Sequence, residues 1–181
     1  MNNLTDTYLF KALDAYPYDL PEAIESLNYA LSYDDKNPIA LRLMGQIYGE
    51  QLCDYETAKH YFEEALAEDI YCLSIYKPYI NVLTWNDDFE KALKLIEFAL
   101  TVKGIDKGMM YFKRAIIYEH LEQYKEALKA LRKAKNIAVN SAFIEGTDTD
   151  KKRIKDKMPK KKKKAKAKKK DKKKKSKKKK K

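Results

Sequence analysis

Apolar residues in the first 140 positions recur with the spacing of helices rather than strands. Four segments carry the same stripe: Leu20, Ala23, Leu27 and Ala30; Tyr55, Ala58, Phe62 and Ala65; Phe89, Ala92, Ile96 and Ala99; Tyr124, Ala127, Leu131 and Ala134. Offsets of 0, 3, 7 and 10 lie along one helix face. The leading alanines, Ala23, Ala58, Ala92 and Ala127, follow one another at intervals of 35, 34 and 35 residues. Ahead of each segment runs a second amphipathic stretch, which in the second unit holds Leu41, Met44, Gly45 and Tyr48. The pattern predicts an all-α domain over 1–140 made of four helix pairs, at about 4–36, 37–71, 72–106 and 107–140. One such pair exposes an apolar face, and stacking its neighbours buries it.

Several boundaries are readable. Asn37 is placed to cap a helix with Pro38 as its first residue, and Pro21 sits at another helix start. Asp54, and Asp87 or Asp88, are expected to cap second helices, while Gly104 and Gly108 mark a turn between units. Pro78 implies a first helix that starts late, near Ser74, with the proline in its first turn. Small or apolar residues that let paired helices approach are expected at Gly45, Ile80 and Ala115, with Lys11 at that place in the first unit. The stripe stops after Val139, so 141–158 reads as a linker. On that reading the last pair keeps an open apolar face unless Phe143 and Ile144 fold back over it.

The second unit resembles the tetratricopeptide repeat family, whose pattern runs W-x2-L-G-x2-Y, then A-x3-F, then P. Leu41 stands for the Trp and Met44 for the Leu; Gly45 and Tyr48 match, as do Ala58 and Phe62 after one extra turn residue. Ile70 occupies the place of the closing Pro. The likeness extends over about residues 4–138. It implies a right-handed superhelical stack of about four helix-turn-helix hairpins, an α-solenoid, whose first helices line a concave face. Members of the family often hold an extended peptide there. By resemblance that face would present Arg42, Gln46, Lys77, Asn81, Phe112, Lys113 and Ile116, together with Ala12 and Gly49, and Trp85 would lie beside it. Lys77-x3-Asn81 matches the first element of a clamp that some members close on a C-terminal carboxylate. Lys113 stands where the clamp needs Asn, and no later unit supplies its third element.

Charge divides the chain. The net +12 combines −9 over residues 1–150 with +21 over 151–181. Residues 159–181 contain no apolar side chain larger than Ala, so they are expected to be disordered in isolation. Such a segment draws polyanions through counterion release and reads no base sequence. The expected polyanion contacts are Lys160, Lys161, Lys162, Lys163, Lys164, Lys168, Lys169, Lys170, Lys172, Lys173, Lys174 and Lys175. RNA, the ribosome or DNA is the expected class of partner. No amphipathic or lipidation signal accompanies the lysines, so a membrane is not. Two other roles for the tail are a solubility or targeting element and a segment that folds back on the acidic body.

Little else points to chemistry. Cys53 and Cys72 form no CxxC pair and no metal-like spacing with His60 or His120, and the five glycines are isolated. No cofactor, metal or catalytic residue is expected. The start of the sequence shows no secretory signal, and a cytoplasmic protein is expected, or a nuclear one in a eukaryote. Two functions follow. One is a scaffold that binds an unidentified protein segment in its groove while the tail holds a polyanion. The other is an assembly subunit that stacks on a partner or on itself through an uncapped last repeat.

Overall fold

The structure, a computed structural model, describes residues 3–159. Among them are nine helices and no strand: α1 Asn3–Ala15, α2 Leu20–Tyr33, α3 Pro38–Glu50, α4 Tyr55–Glu68, α5 Leu73–Trp85, α6 Phe89–Ala99, α7 Lys107–His120, α8 Tyr124–Ile137 and α9 Ser141–Lys157. Helices α1–α8 pair as hairpins in chain order, each hairpin packs on the next, and α9 packs on α8. First helices also touch one another, α3 with α5 and α5 with α7. The chain is therefore a solenoid with one row of helices inside and another outside.

The alanine stripe is its seam. Ala23, Ala58, Ala92 and Ala127, with the alanines seven residues on, are fully buried. Without larger side chains there, facing helices pack closely. A side chain added at Gly45 would press on the Phe62 ring at 3.1 Å. One at Gly49 would come within 2.4 Å of Val82 Cγ2, so the approach of α3 to α5 requires glycine. Phe62 is itself fully buried and stacks on Tyr79 at 5.3 Å. Burial of a side chain that size stabilises by roughly 1.5–3 kcal/mol.

Side-chain caps set the helix starts. Asp19, Asn37, Asp54, Asp106 and Asn140 accept from backbone N–H groups of the first turns of α2, α3, α4, α7 and α9. Asp88 stands at the N-cap of α6 but makes no such bond. Its carboxylate instead takes Lys59 Nζ at 2.6 Å and Asn86 Nδ2 at 2.9 Å. Lys59, nearly buried on α4, also reaches Glu56 at 2.8 Å and so pins the second hairpin to the third. Burial pulls the Lys59 pKa down, but the hydrogen bonds to Asp88 and Glu56 outweigh it and leave it raised.

Three expectations need correction. Residues 141–158 are not a linker, because Ser141–Lys157 is helix α9. Its one face, Phe143, Thr147, Asp150 and Ile154, turns inward, with Thr147 and Ile154 buried. Ile154 packs with Ala115, Ala127, Ala130 and Leu131, so the last hairpin is covered. Pro78 is the sixth residue of α5, past the first turn, although that helix does start late. There Pro78 leaves the Ser74 carbonyl without its helical donor. In the first hairpin Lys11 is exposed, and Ala12 beside it is the fully buried small residue.

Candidate functional site

The inner row forms an open cleft of about 790 Å³. Arg42, Gln46 and Glu50 come from α3, and Lys77, Pro78 and Asn81 from α5; Ile105, Met109 and Met110 close it from the α6–α7 turn and the start of α7. One turn of helix separates Arg42, Gln46 and Glu50, which lets them join in a polar ladder. Arg42 Nη1 donates to Gln46 Oε1 at 2.7 Å, and Gln46 Nε2 donates to Glu50 Oε2 at 3.2 Å. The Tyr16 hydroxyl donates to the same Glu50 oxygen at 2.8 Å, tying the first hairpin to the ladder.

The charges on the cleft lining balance, Arg42 and Lys77 against Glu50 and Asp106. Burial pushes the Arg42 pKa down, without approaching neutrality for a guanidinium. Lys113 is half-buried, and its pKa is lowered by burial and then by the charge of Lys77, with Glu50 acting the other way. Lys77 on α5 and Lys113 on α7 thus lie within electrostatic reach of each other, and neither makes an ion pair with the described residues. Glu50 is the carboxylate closest in effect, and it is already bonded to Gln46 and Tyr16.

Of the residues expected on the concave face, Arg42, Gln46, Lys77 and Asn81 line this cleft together. Lys113 is not among the residues that line it, although it feels the charge of Lys77. Phe112 and Ile116 line a separate recess of about 290 Å³ between α7 and α9. Trp85, the last residue of α5, is half-exposed and tilts against Tyr55 at 6.4 Å, away from both. Ala12 and Gly49 are packed in the core and face no groove. The twelve tail lysines lie outside the described residues. Sequence reasoning missed Ile105, Met109 and Met110, whose signal was the Asp106 cap that sets the phase of α7.

The α9 side of the recess between α7 and α9, Asp150, Arg153 and Lys157, was not foreseen. Glu119, nearly buried, receives Arg153 Nη2 and Lys157 Nζ, each at 2.7 Å. Burial raises the Glu119 pKa, but the bonds from Lys157 and Arg153 overcome it and hold the carboxyl below its ordinary value. Phe112 meets Phe143 edge-on at 5.6 Å. Helix α9 therefore closes the C-terminal end of the groove.

Second helices differ in charge along the stack. Helix α2 has two carboxylates and no cation; α4 has four carboxylates and one lysine; α6 has two of each; α8 has five cations and one carboxylate. Among the described residues no group of His, Cys, Asp and Glu is arranged to hold a metal, and no helix is long and apolar enough to cross a membrane.

Several solved structures share this arrangement. A Pseudomonas aeruginosa pilF protein superposes with a TM-score of 0.71 at 14% identity, over 84% of this chain and 71% of that one. A MamA protein from Desulfovibrio magneticus gives 0.67 at 18%, over 86% and 92%. YrrB, described as a TPR protein with an unusual peptide-binding site, gives 0.67 at 15%, over 82% and 76%. The fold is the tetratricopeptide-repeat fold. At these identities the likeness speaks to the fold. No family model matches the sequence, and no curated protein matches it.

Proposed function

We propose that the protein is an interaction scaffold that holds an extended protein segment in the α3–α5–α7 cleft, while its lysine tail tethers it to a polyanion. The observation that carries the first half is Lys77 in this open cleft, without an ion pair among the described residues and within electrostatic reach of Lys113, beside an apolar wall of Ile105, Met109 and Met110. A carboxylate seated between the lysines would relieve their mutual repulsion, and apolar side chains would cover the methionines. The ligand is thus a segment with an acidic residue next to apolar ones. YrrB, with the same fold, has a peptide-binding site by its description, which supports the use of such a surface. The reading of the tail rests on its charge, 18 lysines against one aspartate over 159–181.

Selection of displayed dodecapeptides on the full chain tests the groove. Enriched peptides should carry Asp or Glu, and the Lys77→Glu/Lys113→Glu variant should bind them at least about tenfold more weakly, the loss of one charge-assisted contact. Equal binding by that variant would place the peptide elsewhere. For the tail, removal of residues 160–181 should weaken RNA binding by orders of magnitude at low salt. Undiminished binding would overturn the tether. The sequence-based alternative, assembly through an uncapped last hairpin, loses its premise because α9 covers that face.

A further inference from the structure

The positive charge of the C-terminal end is not confined to the tail. Helices α8 and α9 pack side by side and enclose a cleft of about 210 Å³ on the outer side of the stack. Arg132 and Lys135 of α8 and Lys151 and Lys155 of α9 line it, with Asp148 as the one carboxylate. Asp148 is taken by Lys135 Nζ at 2.5 Å. Arg132, Lys151 and Lys155 are exposed and make no ion pair with the described residues.

Farther around α8, Lys125, Lys129 and Lys133 recur every fourth residue on its exposed face, with Lys129 paired to Glu126 and Lys133 over the Tyr111 ring on the α7 side. That spacing sets their stems about 6 Å apart along the helix axis. The cations thus form a row on packed helices. A line of fixed cations suits a string of phosphates, while insertion into a bilayer requires apolar side chains among the charges. The exposed positions of α8 and α9 beside the cleft are polar, and the exposed Ile137 and Val139 lie off its end, at the α8–α9 turn. Lys157 ends α9, and the tail follows two residues later.

We infer that the α8–α9 cleft is a folded binding surface for the phosphodiester backbone of nucleic acid. This rests on the proposed polyanion tether and gives it a rigid part. The folded cations position the backbone against the solenoid, and the tail adds non-directional attraction. Without a planar aromatic or a base-reading element in the cleft, binding is independent of sequence.

The experiment uses the full chain and a labelled 20-nucleotide RNA, with affinity measured by anisotropy from 50 to 300 mM salt. Three cations removed from phosphate contact should flatten the slope of log affinity against log salt by about 2 to 3. The variant Arg132→Gln/Lys151→Gln/Lys155→Gln is expected to show that change with an unaltered helical spectrum. A slope equal to the wild type would overturn the cleft and leave the tail as the sole contact. Lysine acetylation footprinting of the wild-type chain provides a readout free of folding effects. Lys151 and Lys155 should be protected by RNA, and equal labelling with tail lysines alone protected would sink the inference. A wild-type chain that ignores RNA but binds phosphatidylserine vesicles would overturn both the cleft and the nucleic-acid tether.

Discussion

Helices α2 and α8 occupy equivalent places in the first and fourth hairpins and bury the same stripe, Ala23, Leu27 and Ala30 in one, Ala127, Leu131 and Ala134 in the other. Their solvent faces are opposite in sign: two carboxylates on α2, five cations and a single carboxylate on α8. Packing dictates only the buried third of each helix, and it dictates that third identically. The outer face is free of this demand, so its charge reports on what the surface meets. The two regions separate what the fold requires from what binding requires, and four measurements test that separation.

The largest effect is expected on the stripe. Ala23→Leu and Ala127→Leu each insert a branched side chain where no space exists, and each should cost about 2–3 kcal/mol. Thermal unfolding should shift down by roughly 4–10 °C in both variants. Tolerance of leucine at only one of the two sites would break the equivalence of the hairpins.

Next in size is Glu119→Gln, which removes the anchor of Arg153 and Lys157. Breaking a nearly buried pair should cost about 1–3 kcal/mol, felt as faster opening of α9. Amide hydrogen-exchange protection in Ser141–Lys157 measures it. The Lys157 and Arg153 bonds lower the native carboxyl's pKa despite its burial, so its contribution is present above the unfolded value and is lost as pH falls through the folded one. Protection of α9 in the wild type should therefore decline below about pH 4.5, and in the Gln variant it should show no such step. Protection independent of pH in both would mean that Ile154 alone holds the helix.

Lys59→Met should cost about 1–2 kcal/mol in global stability, since it severs α4 from the α5–α6 turn but keeps the aliphatic packing. The raised Lys59 value makes this contribution complete at neutral pH and lost only as pH rises through the folded pKa. Denaturant midpoints at pH 7 and 11 check the sign. The smallest effect belongs to the outer face: Glu22→Lys/Glu25→Lys should change stability by no more than about 0.5 kcal/mol. A larger loss would show that the acidic face of α2 is part of the fold and not free of it.

The repeats were legible because the constraint behind them is local and repeated. Alanine at fixed offsets is needed for close helix approach, and it recurs in the sequence wherever that approach recurs. Helix α9 was not legible for the opposite reason. It is packed on one side only and needs few buried residues, Thr147 and Ile154 with Phe143 and Asp150 half-buried between. It contains Gly146, no alanine stripe, and five cations among its 17 residues. The signal that could have found it was Asn140 before a 0, 4, 7, 11 spacing at Phe143, Thr147, Asp150 and Ile154. Four groove residues were readable from the repeat phase, since they face inward from α3 and α5. Phe112 and Ile116 were placed on the right helix, but the recess they line depends on α9. Asp88 was misread because its carboxylate had two offers, and a buried lysine outcompeted a backbone N–H.

The anchor at Glu119 has a mechanical side. A pull on the chain beyond residue 159 enters the folded body through α9, whose Lys157 and Arg153 both hold one side chain on α7. That side chain sits at the rim of the recess formed by Phe112 and Ile116. Tension from an immobilised tail is thus shared between the inner wall of the groove, through Glu119, and the last hairpin, through Ile154 on Ala127 and Leu131.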